Sequence, residues 1–520
     1  MNKQAKVKFK EKSPADFFYD NRDVAGFDNP ARAIYTAIRE LVENSLDSAE
    51  LGGFLPNIEV EVKKVGEKVY MLRVSDNGTG IPPEQIPNCF GKVLYSSKYI
   101  LRQSRGRFGM GGTMAVLYGQ ITTNKPVHVI SSTGNEWIAD MYVMIDIERN
   151  EPIVKPERLE DALKPNPKRW HGTIVELYLE GDYQRARKKV VEYLKQTAMI
   201  TPYARIKLVE PDGNVILFKR AVRKLPKIPK ETLPHPQGID MEMLRRMLRA
   251  FNAKNMVQFM VKSFQRVGEV TAKEVLSRAG IPFDKRPQDL TEEELLKLYK
   301  TMKEYNGFLP PDPSCLAPVG EILVEGIKKE LKPEFVAMVQ RKPSAYEGHP
   351  FIVEVAIAYG GEIKNENGKI KLYRFANRIP LLYDEYNDVS AKVIRELNWG
   401  RYGIRPDMPI AVFVHICSTK IPFKTLGKEY IAHKDEIERE IKLGLMAVAR
   451  ELGRYLKKKA EKELLSKKRK TFLKYAELSS MFISEALGVK KEEVYRFFLD
   501  LIDRRVEGEE GEAEHEDSSR

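Results

Sequence analysis

The sequence predicts an α+β protein of several domains: an α/β sandwich, then a small helical domain, then a second α/β domain that ends in a long helix. Three observations carry this reading. The 520 residues exceed what one hydrophobic core usually serves, since domains run to about 100–200 residues. Two proline-rich breaks, at 223–238 and 307–318, interrupt the chain. Strand-like alternation before the first break and after the second gives way, between them, to helical patterns almost free of β-branched runs.

The first major element is a helix. In "FDNPARAIYTAIRELVENSLDSAELGG", Asn29 is the N-cap, Pro30 takes the first helical position, where its missing N–H costs nothing, and Gly52-Gly53 is the stop. Ile34, Ala37, Ile38, Leu41 and Ser45 form its apolar face. "IEVEVKKV" and "VYMLRVSD" alternate around Gly66 and predict a β-hairpin. From Ile81 to Gly112 periodicity falls and Gly, Ser and Arg dominate, after which "HVISS", "MYVMIDIE" and "GTIVELYLE" restore strands and complete the sandwich near residue 228. "MLRRMLRAFNAKN" and "TEEELLKLYKTMKEY" predict short helices between Met241 and Asn306. "FIVEVAIAYGG" and "PIAVFVHIC" predict the second set of strands, followed by a charged helix from about Lys434 to Lys468. The acidic end, "EGEEGEAEHEDSSR", offers no apolar cluster and is expected to be disordered. The domain limits expected are therefore 1–228, 229–306, 307–470 and 471–520.

Composition narrows the function. Lys+Arg of 87 against Asp+Glu of 74 gives a net charge of +13, which favours a polyanionic partner such as nucleic acid over a neutral one; a charge-rich surface of the thermophile kind is the bland alternative. Cys89, Cys315 and Cys417 form no CxxC and have no histidine at ligand spacing, so neither a zinc site nor a disulfide framework is indicated. The opening "MNKQAKVKFKEK" has no apolar signal core, and no segment approaches the roughly 20 apolar residues of a membrane span, so a soluble cytoplasmic protein is expected.

Three motifs carry candidate chemistry. On the first helix Glu40, Asn44 and Asp47 recur at i, i+4 and i+7 and share one stripe. Such a stripe is ordinarily a solvated face, but Asn is a mediocre helix former whose carbonyl suits a hard cation, so Glu-x-x-x-Asn can pair a base with a magnesium ligand. Asp76 ends the strand "VYMLRVSD", and Gly78 and Gly80 let the backbone turn closely enough for a flat ligand to reach the carboxylate; a hairpin turn is the alternative. In "RGRFGMGGT", Gly106, Gly109, Gly111 and Gly112 precede an apolar helix, an arrangement that presents N–H groups and a positive dipole end to phosphates. No Lys-Ser/Thr ending follows and no strand clearly precedes it, so it is neither a Walker A loop nor a dinucleotide fingerprint.

The order of these motifs, with "HGT" opening a later strand, resembles the N, G1, lid and G2 boxes of the GHKL ATPase family, which includes gyrase B, MutL, the large ATP-dependent heat-shock chaperone and histidine kinases. The resemblance implies a GHKL (Bergerat) α/β sandwich and ATP with Mg²⁺ as ligands. It implies Asp76 as the adenine-binding carboxylate, Asn44 as the Mg²⁺ ligand and Glu40 as the base that orients water. Gly106, Arg107, Phe108, Gly109, Met110, Gly111, Gly112 and Thr113 are then the phosphate loop, Thr173 a second adenine-side contact, and Ser97 and Lys98 lid residues near the phosphates. Several relatives carry Lys two residues after the last motif glycine, where this chain has Gly112-Thr113, so the loop is expected to depend on backbone N–H groups and Lys98.

Over nearly the whole chain, "PARAIYTAIRELVENSLDSAE", "NCFGKVLYSSKY", "EGHPFIVEVAIAYGG" and "CSTKIPFKTLGKEYIA" resemble the B subunits of archaeal type IIB topoisomerases, the topoisomerase VI group. That family follows its ATPase domain with a helix-two-turn-helix domain, which "FQRVGEVTAKEVLSRAGI" resembles, and a transducer domain with a long C-terminal helix. The resemblance implies that Lys428, in the loop "PFKTLGKEY" with Lys424, contacts the γ-phosphate, and that the chain dimerises with ATP, works with a separate A subunit in an A2B2 heterotetramer and acts on double-stranded DNA. "EILVEGIKKE" resembles the opening of a Toprim metal site, but the chain has no Asp-x-Asp, so Glu325 is read as structural and DNA cleavage as the work of the A subunit. The basic run 457–470 is read as the solvated side of a helix. Two alternatives stand beside this reading: another GHKL ATPase of mismatch-repair or chaperone type, and a nucleotide-gated DNA clamp whose hydrolysis is incidental.

Overall fold

The computed structural model describes residues 11–96, 99–106, 109–365, 368–424 and 427–518, with side-chain surroundings through Arg504. These residues form two compact units, 1–397 with 406–448, and 398–405 with 449–520. Among the described residues no helix is long and apolar enough to cross a membrane.

The larger unit begins with α1 (Pro14–Asp20) and α2 (Pro30–Leu51), then the hairpin β1 (Asn57–Lys64) and β2 (Val69–Ser75), and short α3 (Ile86–Gly91) and α4 (Gly111–Thr123). β3 (Val127–Thr133), β4 (Trp137–Asp146), β5 (Glu151–Lys155), β6 (Leu163–Pro165) and β7 (His171–Glu180) follow, then α5 (Tyr183–Ile200), β8 (Arg205–Val209) and β9 (Val215–Phe218). As expected, Asn29 caps α2 by accepting from the Arg32 amide at 2.9 Å, and Gly52 ends it. The strands order as β5-β4-β3-β7-β2-β1-β8-β9, with β6 beside β4. β2 is central, antiparallel to both β1 and β7, with Val74 opposite Val60 and Val175. One face of this sheet is covered by α2, α4 and α5, whose Ile38, Leu117 and Leu194 meet Val60, Leu72 and Leu177 in a single core. The alternating burial of β1 and β7 reflects that one-sided cover.

Four short helices, α6 (Met241–Ala250), α7 (Met256–Ser263), α8 (Glu269–Ala279) and α9 (Glu292–Glu304), enclose a separate core around Phe259, Leu276 and Leu298. A capping box between Thr291 and Glu294 starts α9. Next come α10 (Ile322–Leu331) and a second sheet of β10 (Phe335–Gln340), β11 (Ser344–Tyr346), β12 (His349–Tyr359), β13 (Lys371–Ala376), β14 (Ile379–Pro380) and, after α11 (Val389–Glu396), β15 (Ile410–Ser418). Its order is β10-β12-β15-β13-β14, with β11 on β12. β12 and β15 are buried almost throughout, which explains why both read as continuous apolar runs rather than alternating ones. Glu325 lies on helix α10, paired with Lys328, and not on a strand as a Toprim opening requires.

The long helix α12 runs from Asp435 to Leu487, well past the expected end near Lys468, and the expected division at 470/471 falls inside it. Lys, Glu, Leu and Ala are strong helix formers, and nothing in 469–487 interrupts them. α13 (Lys491–Ser518) replaces the disordered tail that the acidic composition suggested. Glu and Ala propagate a helix already started at Lys491, and they carry it through Gly508 and Gly511 despite the cost of each glycine. Within the smaller unit Gly453 lies against the Tyr402 carbonyl, and Arg469 donates to Asp503 at 2.9 Å.

Three of the contacts between the second sheet's elements and the first's, among the described residues of the larger unit, are these. Helix α10 crosses α5 at Gly326, where an added Cβ would stand 2.0 Å from the Met199 carbonyl oxygen. Tyr383, just beyond β14, has Lys189 Nζ 3.6 Å and the Arg32 guanidinium 5.1 Å from its ring centre. The third contact is a buried charge cluster. Glu50 accepts from Arg105 at 2.6 Å, Arg378 at 2.8 Å and the Tyr203 hydroxyl at 2.7 Å, and Asp47 accepts from Arg105 at 2.9 Å. Burial alone would raise the Glu50 carboxyl, but Arg105 and then Arg378 outweigh it and hold it below the ordinary range.

Two outcomes are expected. Gly326→Ala forces α10 off α5 and lowers unfolding stability by about 1–3 kcal/mol, the usual range for overpacking, to be read by thermal denaturation. Glu50→Gln leaves two buried arginines short of charge and lowers stability at neutral pH by about 3–5 kcal/mol. Because the folded-state carboxyl lies below its ordinary value, that stabilisation is complete above about pH 4.5 and is lost as the pH falls through the lowered value. Urea unfolding between about pH 2 and 5 should accordingly show a shallower pH dependence for the variant than for the parent chain.

Candidate functional site

From Ala33 to Glu50 every residue of α2 is buried except Ser48, which is half-buried, and Asn44, which is exposed. A helix enclosed on all sides with one open position marks a cavity, and Asn44 faces one of about 310 Å³. The cavity is bounded by α2, the turn after β2, Gly106, the segment 109–114, Thr173 on β7 and Lys428. It gathers the expected residues Glu40, Asn44, Asp76, Gly106, Gly109, Met110, Gly111, Gly112, Thr113, Thr173 and Lys428. Ser97, Lys98, Arg107 and Phe108 lie outside the described residues. Lys424 is exposed and is not part of the cavity wall.

Asp76 closes β2 and is fixed by three donors. Its Oδ1 accepts from the Gly78 amide at 2.8 Å and the Thr173 amide at 3.2 Å, and its Oδ2 from the Ser45 hydroxyl at 2.9 Å. Burial pushes its carboxyl above the ordinary range, and these donors only partly offset the rise. Thr173 is placed in turn by a 3.0 Å hydrogen bond between its hydroxyl and that of Ser131.

Gly78 and Gly80 serve a different purpose from the one expected. Neither lines the cavity. A Cβ on Gly78 would stand 2.2 Å from Ser48 Oγ, and one on Gly80, whose φ is +70°, would stand 1.9 Å from the Ser132 carbonyl oxygen. The missing side chains make room for protein, seating the turn against α2 and β3, while the ligand-facing residue between them is Thr79. Gly172 does the same from the other side, since a Cβ there would stand 2.1 Å from the Asp76 carbonyl oxygen.

The described glycines of the loop open on the cavity. Gly109 takes φ +61°, and a Cβ on it would fall 2.1 Å from Ser96 Cβ. α4 starts at Gly111 with no side chain capping it, so its first amides and dipole end open on the cavity. The Glu40 carboxylate stands directly over Gly111, where a Cβ would meet Oε2 at 1.7 Å, and Gly112 faces the Asn44 amide.

Lys428 belongs to the loop after β15 and is only 8% exposed. It donates to Glu43 Oε2 at 2.9 Å and stands 3.6 Å from Glu40 Oε1. Burial works against its charge, but Glu40 and Glu43 outweigh that and hold the ammonium above its ordinary value. Arg39 donates to Glu40 at 2.6 Å and to the Gly427 carbonyl at 3.0 Å, tying that loop to α2. Sequence reasoning missed Glu43, Arg39 and Ser45. The available signal was that Glu40, Glu43, Asp47 and Glu50 recur at spacings of three, four and three, one continuous acidic stripe on a helix. Asp47, read with Asn44 as one polar face, is committed to Arg105. Among the described residues no group of three or more His, Cys, Asp or Glu is placed to hold a metal ion.

Comparison with known proteins agrees with this geometry. Residues 29–165 match the family model described as histidine kinase-, DNA gyrase B-, and HSP90-like ATPase, and residues 311–468 match the topoisomerase VI B subunit transducer. The type 2 DNA topoisomerase 6 B subunit of Metallosphaera sedula is 45% identical over 512 residues, 96% of each chain. The protein of the same name from Sulfurisphaera tokodaii is 45% identical over 505 residues, 96% of this chain and 94% of that one. Among solved structures the DNA gyrase B protein of Myxococcus xanthus superposes with a TM-score of 0.41 at 9% identity over 84% of this chain and 95% of that chain, too loosely to assign residues. By its identity to these relatives over nearly its whole length, the chain belongs to the family of type 2 DNA topoisomerase 6 B subunits.

Proposed function

We infer that this chain is the ATP-binding and ATP-hydrolysing subunit of a type IIB DNA topoisomerase. The observation that carries the reading is that Glu40, Asn44 and Asp76 of the first sheet's layer and Lys428 of the second meet on one cavity at the uncapped start of α4. Asp76, half-buried and held by three donors, accepts from the exocyclic amine of adenine, with Thr173 beside it. The α4 amides and the glycine loop take the phosphates.

Magnesium fits a site of this kind through its substrate. No carboxylate cage exists among the described residues, but Asn44 offers an amide in the cavity, and Mg²⁺ is ordinarily held by one or two protein oxygens together with phosphates and waters. When bound, the ion neutralises phosphate charge. The protein's own part is positional. Glu40 accepts a proton from the attacking water as the new oxygen–phosphorus bond forms and the bond to the β–γ bridging oxygen breaks, and the Lys428 ammonium offsets charge on the γ-phosphate. Lys428 belongs to the second sheet's loop, so gain or loss of that phosphate changes a contact between the two layers.

Membership of the family supports, as partners in this reading, a DNA-cleaving A subunit, double-stranded DNA and a second copy of this chain, assembled as A2B2 in the cytoplasm. A self-contained core of residues between Ile239 and Tyr305 supports domain limits near 228 and 306. Tyr475, Phe482 and Phe497 on α12 and α13 are each more than 60% exposed and give the C-terminal region an apolar surface suited to a protein partner. The net charge of +13 suits DNA.

Mixed with a cognate A subunit, the chain should relax supercoiled DNA only with ATP; ATP-dependent dimerisation without strand passage in any mixture would favour the clamp instead. Glu40→Ala should keep nucleotide affinity while turnover falls by about 100-fold or more, the usual range for loss of a general base, and full turnover in that variant would refute the assignment. Asp76→Asn should weaken ATP binding itself by about tenfold, one charge-assisted hydrogen bond, as read by calorimetry.

A further inference from the structure

A second carboxylate stands behind the one assigned to hydrolysis. Glu43 precedes Asn44, but successive helix residues project about 100° apart, so it turns away from the cavity and is 2% exposed. Its Oε2 accepts from Lys428 at 2.9 Å, whereas Lys428 stands 3.6 Å from Glu40 at the cavity wall. The ammonium therefore has a forward carboxylate and a rear one, and sits nearer the rear. Among the described residues the other Glu43 oxygen makes no hydrogen bond and lies 3.6 Å from Arg39 Nε. The Lys428 backbone takes φ +54°, a conformation that a lysine keeps only when its surroundings impose it. Arg39 holds the Gly427 carbonyl immediately before it.

We propose that Glu43 is a positioning residue that parks Lys428 behind the cavity, so that the lysine reaches a terminal phosphate only by exchanging Glu43 for it. This rests on the reading of Lys428 as the γ-phosphate contact. A diphosphate has no third phosphate to offer, so Lys428 stays on Glu43. A triphosphate draws it forward, and Glu43 is left with Arg39 as its counter-charge. Glu43 thus sets how strongly the second sheet's loop distinguishes the two nucleotides. Burial favours the uncharged form of Glu43, and Lys428 is the first influence opposing it, as an exchangeable pair requires.

The test is calorimetric binding of the imido analogue of ATP and of ADP, each with Mg²⁺, to the full chain. Glu43→Gln should raise the affinity for the analogue relative to ADP by roughly five- to tenfold, the difference between a charge-assisted and a neutral hydrogen bond. Glu43→Asp, which keeps the charge but withdraws it by one methylene, should shift the ratio the same way by less. With Lys428→Met already present, Glu43→Gln should leave the ratio unchanged. A ratio that neither soluble Glu43 variant raises, or a rise that persists without Lys428, overturns the proposal. If Lys428→Met alone leaves the ratio at its parent value, the γ-phosphate role of Lys428 falls first, and the parking role falls with it.

Discussion

The structure depends on the burial of four carboxylates along one face of α2. Glu40, Glu43, Asp47 and Glu50 are each less than 10% exposed, and a buried charge is tolerated only with a counter-charge and hydrogen bonds. Arg39 supplies a cation from the same helix. The others, Arg105, Arg378 and Lys428, come from the segment before α4 and from loops of the second sheet. The helix therefore cannot be enclosed until those distant segments dock on it. The same ion pairs that make α2 stable as a buried element place the second sheet's residues at the cavity.

The two ends of this stripe differ in kind. At Glu50 the carboxylate is saturated by two arginines and a tyrosine, and Gln103 and Asn377 exchange further hydrogen bonds with Ala317 and Ser104 around it. With its charges saturated in this way, that end acts as a fixed joint. At Glu40 and Glu43 Arg39 is joined by a lysine that is shared unequally between the two carboxylates beside an open cavity. A lysine on a flexible stem changes partners more readily than a guanidinium locked in several hydrogen bonds. Joined rigidly at one end and exchangeably at the other, α2 is suited to turn occupancy of the cavity into movement of the second sheet's loop.

Much of this was legible in the residues. Asn29-Pro30 and Gly52 bound α2 because caps are local chemistry, and the hairpin of β1 and β2 declared itself by alternation. Glu40, Asn44, Asp76 and the glycine loop were found because each has a distinctive short pattern and the patterns fall in a specific order. Three readings went astray for one reason, that composition does not report surroundings. The acidic C-terminal segment has no apolar cluster yet propagates as a helix from Lys491, and α12 outruns its charged stretch. Gly78 and Gly80 looked like room for a ligand because a sequence does not say what lies across a turn, and what lies there is Ser48 and the Ser132 carbonyl.

By itself the sequence determined the helix caps, the strand periods, the order of the nucleotide motifs and the absence of an Asp-x-Asp beside Glu325, since all of these act over a few residues or rest on residue type alone. Only the tertiary structure decided that Glu43 stands behind the cavity while its neighbour Asn44 faces into it, and that Glu50 joins an arginine from the segment before α4 to one from the second sheet. It also decided that Lys428 rests on a carboxylate 385 residues away in the chain. The physical reason is that the partner of a buried charge is chosen by packing in three dimensions, and no local period of the chain encodes which distant cation will arrive.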